Sequence, residues 1–302
     1  KFYCTLSAGC AFYPDDGRTY LDLFKCADCS LDYAKSRGKN RLELFSRSLQ
    51  AHRARLLELT EILRESIEQD FSGFELYYQV QVHADTCRIK GAEALARWRC
   101  AKYGTVPPSE FIPLLEESGL IEPAGRWIFQ QAVACAVWLQ TYDDFTMSIN
   151  LSCRQLDEPT FIQFMQETME EAGVHPSHII VELTETYIAS SIRSMSRVFA
   201  RIRALGMQIA MDDFGTGYSA LKIDRAFVKD IPNSHFDATF IRFVAELCHD
   251  AGIKVCLEGV ETPEEYEAVR DMPLDYIQGY LFGRPVPPEE FGLLDPVLGT
   301  NA

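Results

Sequence analysis

The chain has 302 residues, 47% of them apolar, and a formal net charge of -15 at pH 7. That length and apolar content suit one large domain or, better, two unequal ones with a substantial core. The acidic balance argues against a DNA or RNA polymer or an anionic membrane as partner, since these are bound by clustered Lys and Arg, and an acidic substrate would need local help such as a metal ion.

Residues 1–45 open with a strand-like run, Phe2 to Phe12, followed by the turn Pro14-Asp15-Asp16-Gly17 and a helical stretch, and read as part of a domain. Cys26 and Cys29 have the CxxC spacing of a zinc or redox site, but no second pair follows. With Cys135, Cys248 and Cys256 in apolar patterns, the ten cysteines read as reduced, small hydrophobes of a cytoplasmic protein. Neither a membrane span nor a secretory signal is legible. Residues 46–70 are charged and helical, with Leu49, Leu56, Leu59, Leu63 and Ile67 on one face, a connecting helix more than a coiled-coil arm.

From Phe74 the pattern alternates. Strands are predicted at 74–82, 90–98, 145–152, 179–185, 208–214, 221–227, 254–260 and 276–282, with helices near 109–119, 122–141, 158–173, 190–205, 236–252 and 262–270. Eight strands alternating with helices predict an α/β fold, a (β/α)₈ TIM-like barrel over residues 71–302. The first two strands have no helix between them, so one is expected to run against the others.

Five of the apolar runs end in oxygen donors: Glu93, Asn150, Glu182, the pair Asp212 and Asp213, and Glu258. Ionised groups at the tips of buried strands are costly unless paired or bound to metal, and five together point to a divalent-metal site at the barrel rim. Oxygen ligands without His or Cys select hard cations, Mg²⁺ or Mn²⁺ over zinc. None of the six histidines falls beside these strand ends, and each reads as a surface residue.

The same residues carry a family resemblance. Residues 74–300 resemble the EAL-domain phosphodiesterases of cyclic di-GMP through Tyr78-Gln79, Glu93-Ala94-Leu95 with Arg97-Trp98, Asn150-Leu151-Ser152, Glu182-Leu183-Thr184-Glu185, Asp212-Asp213-Phe214-Gly215-Thr216-Gly217, Lys222-Ile223-Asp224, Glu258-Gly259-Val260-Glu261 and Gln278-Gly279-Tyr280. Residues 1–45 resemble the C-terminal part of a GGDEF domain through residues 11–17, Ala27-Asp28, Ala34-Lys35 and Gly38-Lys39-Asn40-Arg41. The resemblance implies two cations, one held by Glu93, Asn150, Glu182 and Asp212 and the second by Asp212, Asp213 and Glu258. It implies that cyclic di-GMP is opened to linear pGpG by a metal-activated water, with Lys222 near that water or a phosphoryl oxygen, Arg97 on a substrate phosphate, and Gln79 and Gln278 on substrate or ligands. Glu185, Glu261, Gly215, Thr216 and Gly217 would order the loop after Asp213 and support the metal ligands, and a homodimer is implied. Trp98, Phe214 and Tyr280 read as packing more than as base-stacking platforms. The rival reading is a catalytically inactive EAL domain acting as a cyclic di-GMP receptor or protein-interaction module; the presence of the whole ligand set favours the enzyme. An unrelated two-metal phosphatase would not need the Glu-Ala-Leu, Gly-Thr-Gly and Gln-Gly-Tyr contexts.

Two departures from the family stand out. Val80 replaces the usual Pro after Gln79. More important, the family carries a helix and short loop between the positions of Ala220 and Leu221, roughly ten residues missing here, whereas a parallel crossover takes about a dozen residues or more. The expectation is therefore that the chain is interrupted there and that Ala220 and Leu221 are not peptide-bonded.

Overall fold

In the computed structural model, which describes residues 4–36, 38–139, 145–156, 158, 160–183, 192–211 and 220–291, the alternating runs of the sequence become one closed sheet. The chain divides into two units, Lys1–Glu68 and Gln69–Ala302. In the first, strands β1 (Ala8–Cys10) and β2 (Leu42–Leu44) pair in parallel around helix α1 (Tyr20–Ser36), and helix α2 (Arg47–Glu68) follows. Cys26 and Cys29 both lie on α1, and the Cys26 thiol donates to the carbonyl of Asp16 at 3.2 Å.

The second unit begins with β3 (Phe74–His83), β4 (Ile89–Cys100) and the short β5 (Gly104–Val106), which the sequence reading missed. Then come α3 (Pro108–Ser118), α4 (Ile121–Leu139), β6 (Thr146–Asn150), α5 (Cys153–Leu156), α6 (Phe161–Ala172), β7 (Ile179–Leu183), α7 (Ile192–Ala204) and β8 (Gln208–Met211). The unit continues with β9 (Ala220–Ile223), α8 (His235–Asp250), β10 (Lys254–Glu258), α9 (Pro263–Val269), β11 (Tyr276–Gln278) and α10 (Pro288–Phe291). Eight strands close in the order β3-β11-β10-β9-β8-β7-β6-β4, with β4 returning to β3 and β5 added outside the ring. Strand β3 is antiparallel to both neighbours and the other ring pairings are parallel. The fold is thus the (β/α)₈ barrel with one reversed strand.

Local chemistry sets the helix ends. Pro108 opens α3, where its missing N–H costs nothing, and Gly119 closes it at φ 77°, a left-handed position that a residue with a Cβ resists. Helix α9 starts with a capping box: Thr262 accepts from the backbone N–H of Glu265, and the Glu265 carboxylate accepts from that of Thr262.

The core lies between strands and helices. Ile149, Val181, Ile209, Val255 and Ile277 point outward into it, each fully buried. Alternate strand residues point into the barrel, and many of them are polar: Gln79, Gln81, Glu93, Thr146, Ser148, Glu182, Lys222 and Gln278 are all buried. The period of two thus separates an apolar shell from a polar axis.

The expected interruption is not present. Ala220 and Leu221 are consecutive residues of β9, paired in unbroken register with Lys254 and Val255 of β10. The physical reason lies in the offset of β9, whose first residue sits beside Ala210, only one residue before the last of β8. The end of β8 and the start of β9 thus lie at one level of the barrel. Residues 212–219 lie outside the described residues.

Candidate active site

Pairing register brings the strand-end groups together. Gln79 on β3 lies opposite Glu93 on β4, Asn150 on β6 opposite Glu182 on β7, and Glu258 on β10 opposite Gln278 on β11. The loop after β6 is fixed on both sides. The Leu151 N–H donates to the Glu182 carbonyl at 3.0 Å, and the Ser152 hydroxyl donates to Glu116 at 2.6 Å.

At the centre is an ammonium. Lys222 Nζ, with its side chain 4% exposed, lies 3.0 Å from Glu93 Oε2, 2.7 Å from Glu182 Oε2 and 2.6 Å from Glu258 Oε1. Around Glu93 the amides complete the shell: Asn150 Nδ2 donates to Oε1 at 2.6 Å and Gln278 Nε2 to Oε2 at 2.8 Å. Gln278 Nε2 also donates to Gln79 Oε1 at 3.1 Å, Gln81 Nε2 donates to Gln278 Oε1 at 2.9 Å, and Gln79 Nε2 donates to the Gly283 carbonyl at 3.1 Å. Gly279 has no room for a Cβ, which would fall 1.9 Å from the Val260 carbonyl oxygen, so the turn after Gln278 packs against the strand end of Glu258.

Two carboxyls that share one ammonium respond in opposite directions. Burial raises both, but at Glu93 the Lys222 charge with the donors from Gln278, Lys222 and Asn150 outweighs it and holds the carboxyl below its ordinary value. Glu182 has only Lys222 to set against burial and the charges of Glu93 and Glu258, and is pushed up to about 8. Burial opposes the Lys222 ammonium, but Glu182, Glu93 and Glu258 hold its pKa well above the lysine norm. Cys256 shares this interior, and burial above all raises its thiol well above the usual range, so it is no nucleophile.

Among the described residues no group of three His, Cys, Asp or Glu side chains is arranged as a cation cage. The donor chemistry nevertheless fits a hard cation, because three carboxyls face one ammonium in a buried pocket of oxygen atoms and leave net negative charge there, one at neutral pH and two once Glu182 ionises.

Of the residues singled out from sequence, Gln79, Glu93, Asn150, Glu182, Lys222, Glu258 and Gln278 converge here. Asp212, Asp213, Glu185, Gly215, Thr216 and Gly217, with Phe214, lie outside the described residues. Arg97 stands half-buried above Glu93 on β4, its guanidinium 5.6 Å from the centre of the Tyr77 ring. Glu261 accepts from Arg225 at 2.8 Å and does not reach the cluster. Trp98 is fully buried packing, whereas Tyr280 is 42% exposed with Arg284 4.4 Å from its ring centre. Gln81 went unread, although Gln79 and Gln81, two apart in an apolar run, place two amides on one strand face.

A closed (β/α)₈ barrel with one reversed strand and a carboxylate-rich polar cluster at its axis defines the class. Residues 60–285 match the EAL-domain family, and the chain belongs to it. It is 32% identical over 297 residues to the bifunctional diguanylate cyclase/cyclic di-GMP phosphodiesterase MucR of Pseudomonas aeruginosa, covering 94% of this chain and 43% of the relative. The chain spans roughly two fifths of the length of the curated relatives it matches. Among solved structures, the MucR phosphodiesterase in complex with cyclic di-GMP superimposes with a TM-score of 0.70 at 31% identity, over 78% of this chain and 99% of that one. A calcium and cyclic di-GMP complex of Klebsiella pneumoniae BlrP1 matches at TM-score 0.62 and 28% identity, over 72% of this chain and 57% of that one. Among the described residues no helix is long and apolar enough to cross a membrane.

Proposed function

We propose that this chain is a divalent-metal-dependent phosphodiesterase that hydrolyses cyclic di-GMP to linear pGpG. The observation that carries the reading is the convergence of Glu93, Glu182 and Glu258 on one buried point, with Asn150 at its mouth. These four, joined by Asp212 and Asp213, would hold Mg²⁺ or Mn²⁺, two ions per site. The ions supply an acidified water and neutralise phosphoryl oxygens. The chain's own residues do the rest. Gln278 and Asn150 lock the Glu93 carboxylate in one orientation, and Gln79 and Gln81 hold Gln278 in turn. Lys222 presents N–H donors where an attacking water or a phosphoryl oxygen would lie. Arg97 offers a guanidinium at the rim for a phosphate, and the exposed Tyr280 ring beside it, capped by Arg284, offers a face for a guanine base.

The reading extends to the rest of the chain. Residues 1–45 are proposed as the C-terminal part of a GGDEF domain, 46–70 as the connecting helix and 71–302 as the phosphodiesterase domain. The parallel β1–α1–β2 arrangement and the breadth of the match to the bifunctional relative support this. A cytoplasmic homodimer is the proposed assembly, tested by molar mass in solution. Incubation of purified protein with cyclic di-GMP and Mg²⁺ or Mn²⁺, followed by chromatographic separation of pGpG, tests the activity. Binding of cyclic di-GMP without any pGpG would replace the enzyme by a receptor.

A further inference from the structure

The proposed chemistry uses Lys222 as a donor to oxygen, yet its position has a prior consequence for the cation itself. Its Nζ lies within 3.0 Å of one oxygen on each of Glu93, Glu182 and Glu258, three of the carboxylates that the proposed function assigns to metal. A divalent ion entering this cluster needs the same lone pairs, and two cations sharing oxygens at such distances in a buried pocket repel each other strongly. One of them has to move. Beneath the ammonium, on the barrel axis, lies a cavity of about 60 Å³ lined by Lys222 itself with Gln81, Thr146, Ser148 and Cys256. The cavity has a mixed lining, with Ile180, Ala210 and Lys254 beside those polar groups, and is large enough for a water molecule or for a displaced ammonium.

We propose that Lys222 is the resident counter-ion of the metal-free site. Its ammonium holds the three carboxylates in position, gives up Glu182 and Glu258 when a divalent cation enters, and thereby sets a ceiling on metal affinity. The inference rests on the phosphodiesterase reading for the class of cation. It makes metal loading an exchange of one cation for another within a cluster that the ammonium already holds together, so that a substrate phosphate in the pocket, by adding negative charge, tips the exchange toward the metal.

The test is Mn²⁺ binding to the full chain, stripped by chelation and free of substrate, followed by electron paramagnetic resonance of the unbound ion. Lys222→Met, which keeps the length of the side chain and removes its charge, is expected to bind Mn²⁺ about tenfold tighter than wild type or better. Lys222→Arg, which keeps the charge, is expected to show no gain. Equal or weaker binding by the Met variant, absence of binding by every form, or a gain in the Arg variant as large as in the Met variant would overturn the proposal. If Lys222→Met does not fold without metal, the wild type supplies the reading. With ¹⁵N-labelled lysine, the Lys222 ammonium resonance, assigned by its loss in Lys222→Arg, moves on saturation with Mg²⁺; an unmoved resonance overturns the proposal. Hydrolysis of cyclic di-GMP by wild type, assayed in parallel, separates the two levels. A tenfold gain in Mn²⁺ affinity without hydrolysis sinks the phosphodiesterase reading alone, and hydrolysis without the gain sinks the counter-ion alone.

Discussion

The two sides of the barrel are built differently. On one, β3 and β4 pair through nine residue positions, from Phe74↔Trp98 to Val82↔Ile89, and three glutamines tie β3 to β11. On the other, β8 and β9 pair through only Ala210↔Ala220 and Met211↔Leu221, and the inward residues of that short pairing, Ala210 and Ala220, are small. The heavy wall carries Glu93 and the glutamine amides that orient it, Gln278 with Gln79 and Gln81 behind it. The light wall carries Lys222, the ammonium on which the carboxyls of Glu93, Glu182 and Glu258 converge, while the heavy wall supplies the amide frame around Glu93.

The largest effect that would break this comparison is expected at Glu93. Glu93→Ala removes the acceptor shared by Asn150, Lys222 and Gln278, and cyclic di-GMP turnover should fall by more than about 100-fold. Turnover within a fewfold of wild type, measured with saturating Mn²⁺, would remove the heavy wall from the site. Next in size is Gly279→Ala. Its Cβ would meet the Val260 carbonyl oxygen at 1.9 Å, an overlap with backbone that should cost about 1–3 kcal/mol in urea denaturation.

These two positions also mark what was legible in the sequence. The strands were legible because outward-facing Ile149, Val181, Ile209, Val255 and Ile277 sit at a period of two within short apolar runs. The reversal of β3 was legible because no helix separates it from β4. The offset of β9 was not, because a shortened connection looks the same whether the chain is broken or the next strand starts higher. Within the site, strand ends announced the carboxylates, but pairing register alone brings Glu258 beside Gln278 and leaves Lys222 between carboxylates from β4, β7 and β10. Sequence spacing carries no information on register between distant strands.

A paired substitution sharpens the comparison further. Ala92 is fully buried in the apolar shell beside Val80, whereas Ala220 lines the axial cavity of about 60 Å³. Ala92→Val should therefore destabilise by about 1–3 kcal/mol and Ala220→Val by less than ~1 kcal/mol. Equal losses in thermal denaturation would show that the light wall is as tightly packed as the heavy one.

The smallest expected effect is on pH dependence. In the metal-free protein the Glu182 carboxyl, ordinarily 4.5, titrates at about 8. A carboxyl raised on folding binds its proton more tightly in the folded than in the unfolded chain, so its contribution to stability declines as pH rises from 4.5 to about 8. Chelator-treated protein should melt at a lower temperature at pH 9 than at pH 6.5, and Glu182→Gln should flatten the difference. A melting temperature that rises over the same interval would mean that Glu182 is ionised throughout.

The reversed strand has a consequence for how the molecule forms. Every parallel pairing of the barrel joins segments separated by an excursion of the chain, but β3 and β4 meet across residues 84–88, closed by the His83 N–H donating to the Arg88 carbonyl at 2.9 Å. Short loops lose little entropy on closing, so this hairpin is the barrel pairing expected to form earliest during folding. Because Gln79 and Glu93 face each other within it, part of the site is assembled before the ring closes. Val80→Ala in the hairpin should then slow folding, whereas Val255→Ala in β10 should mainly speed unfolding, a contrast that stopped-flow chevrons would resolve. The chain thus writes one edge of its chemistry into the segment that needs the least of the remaining protein to find its place.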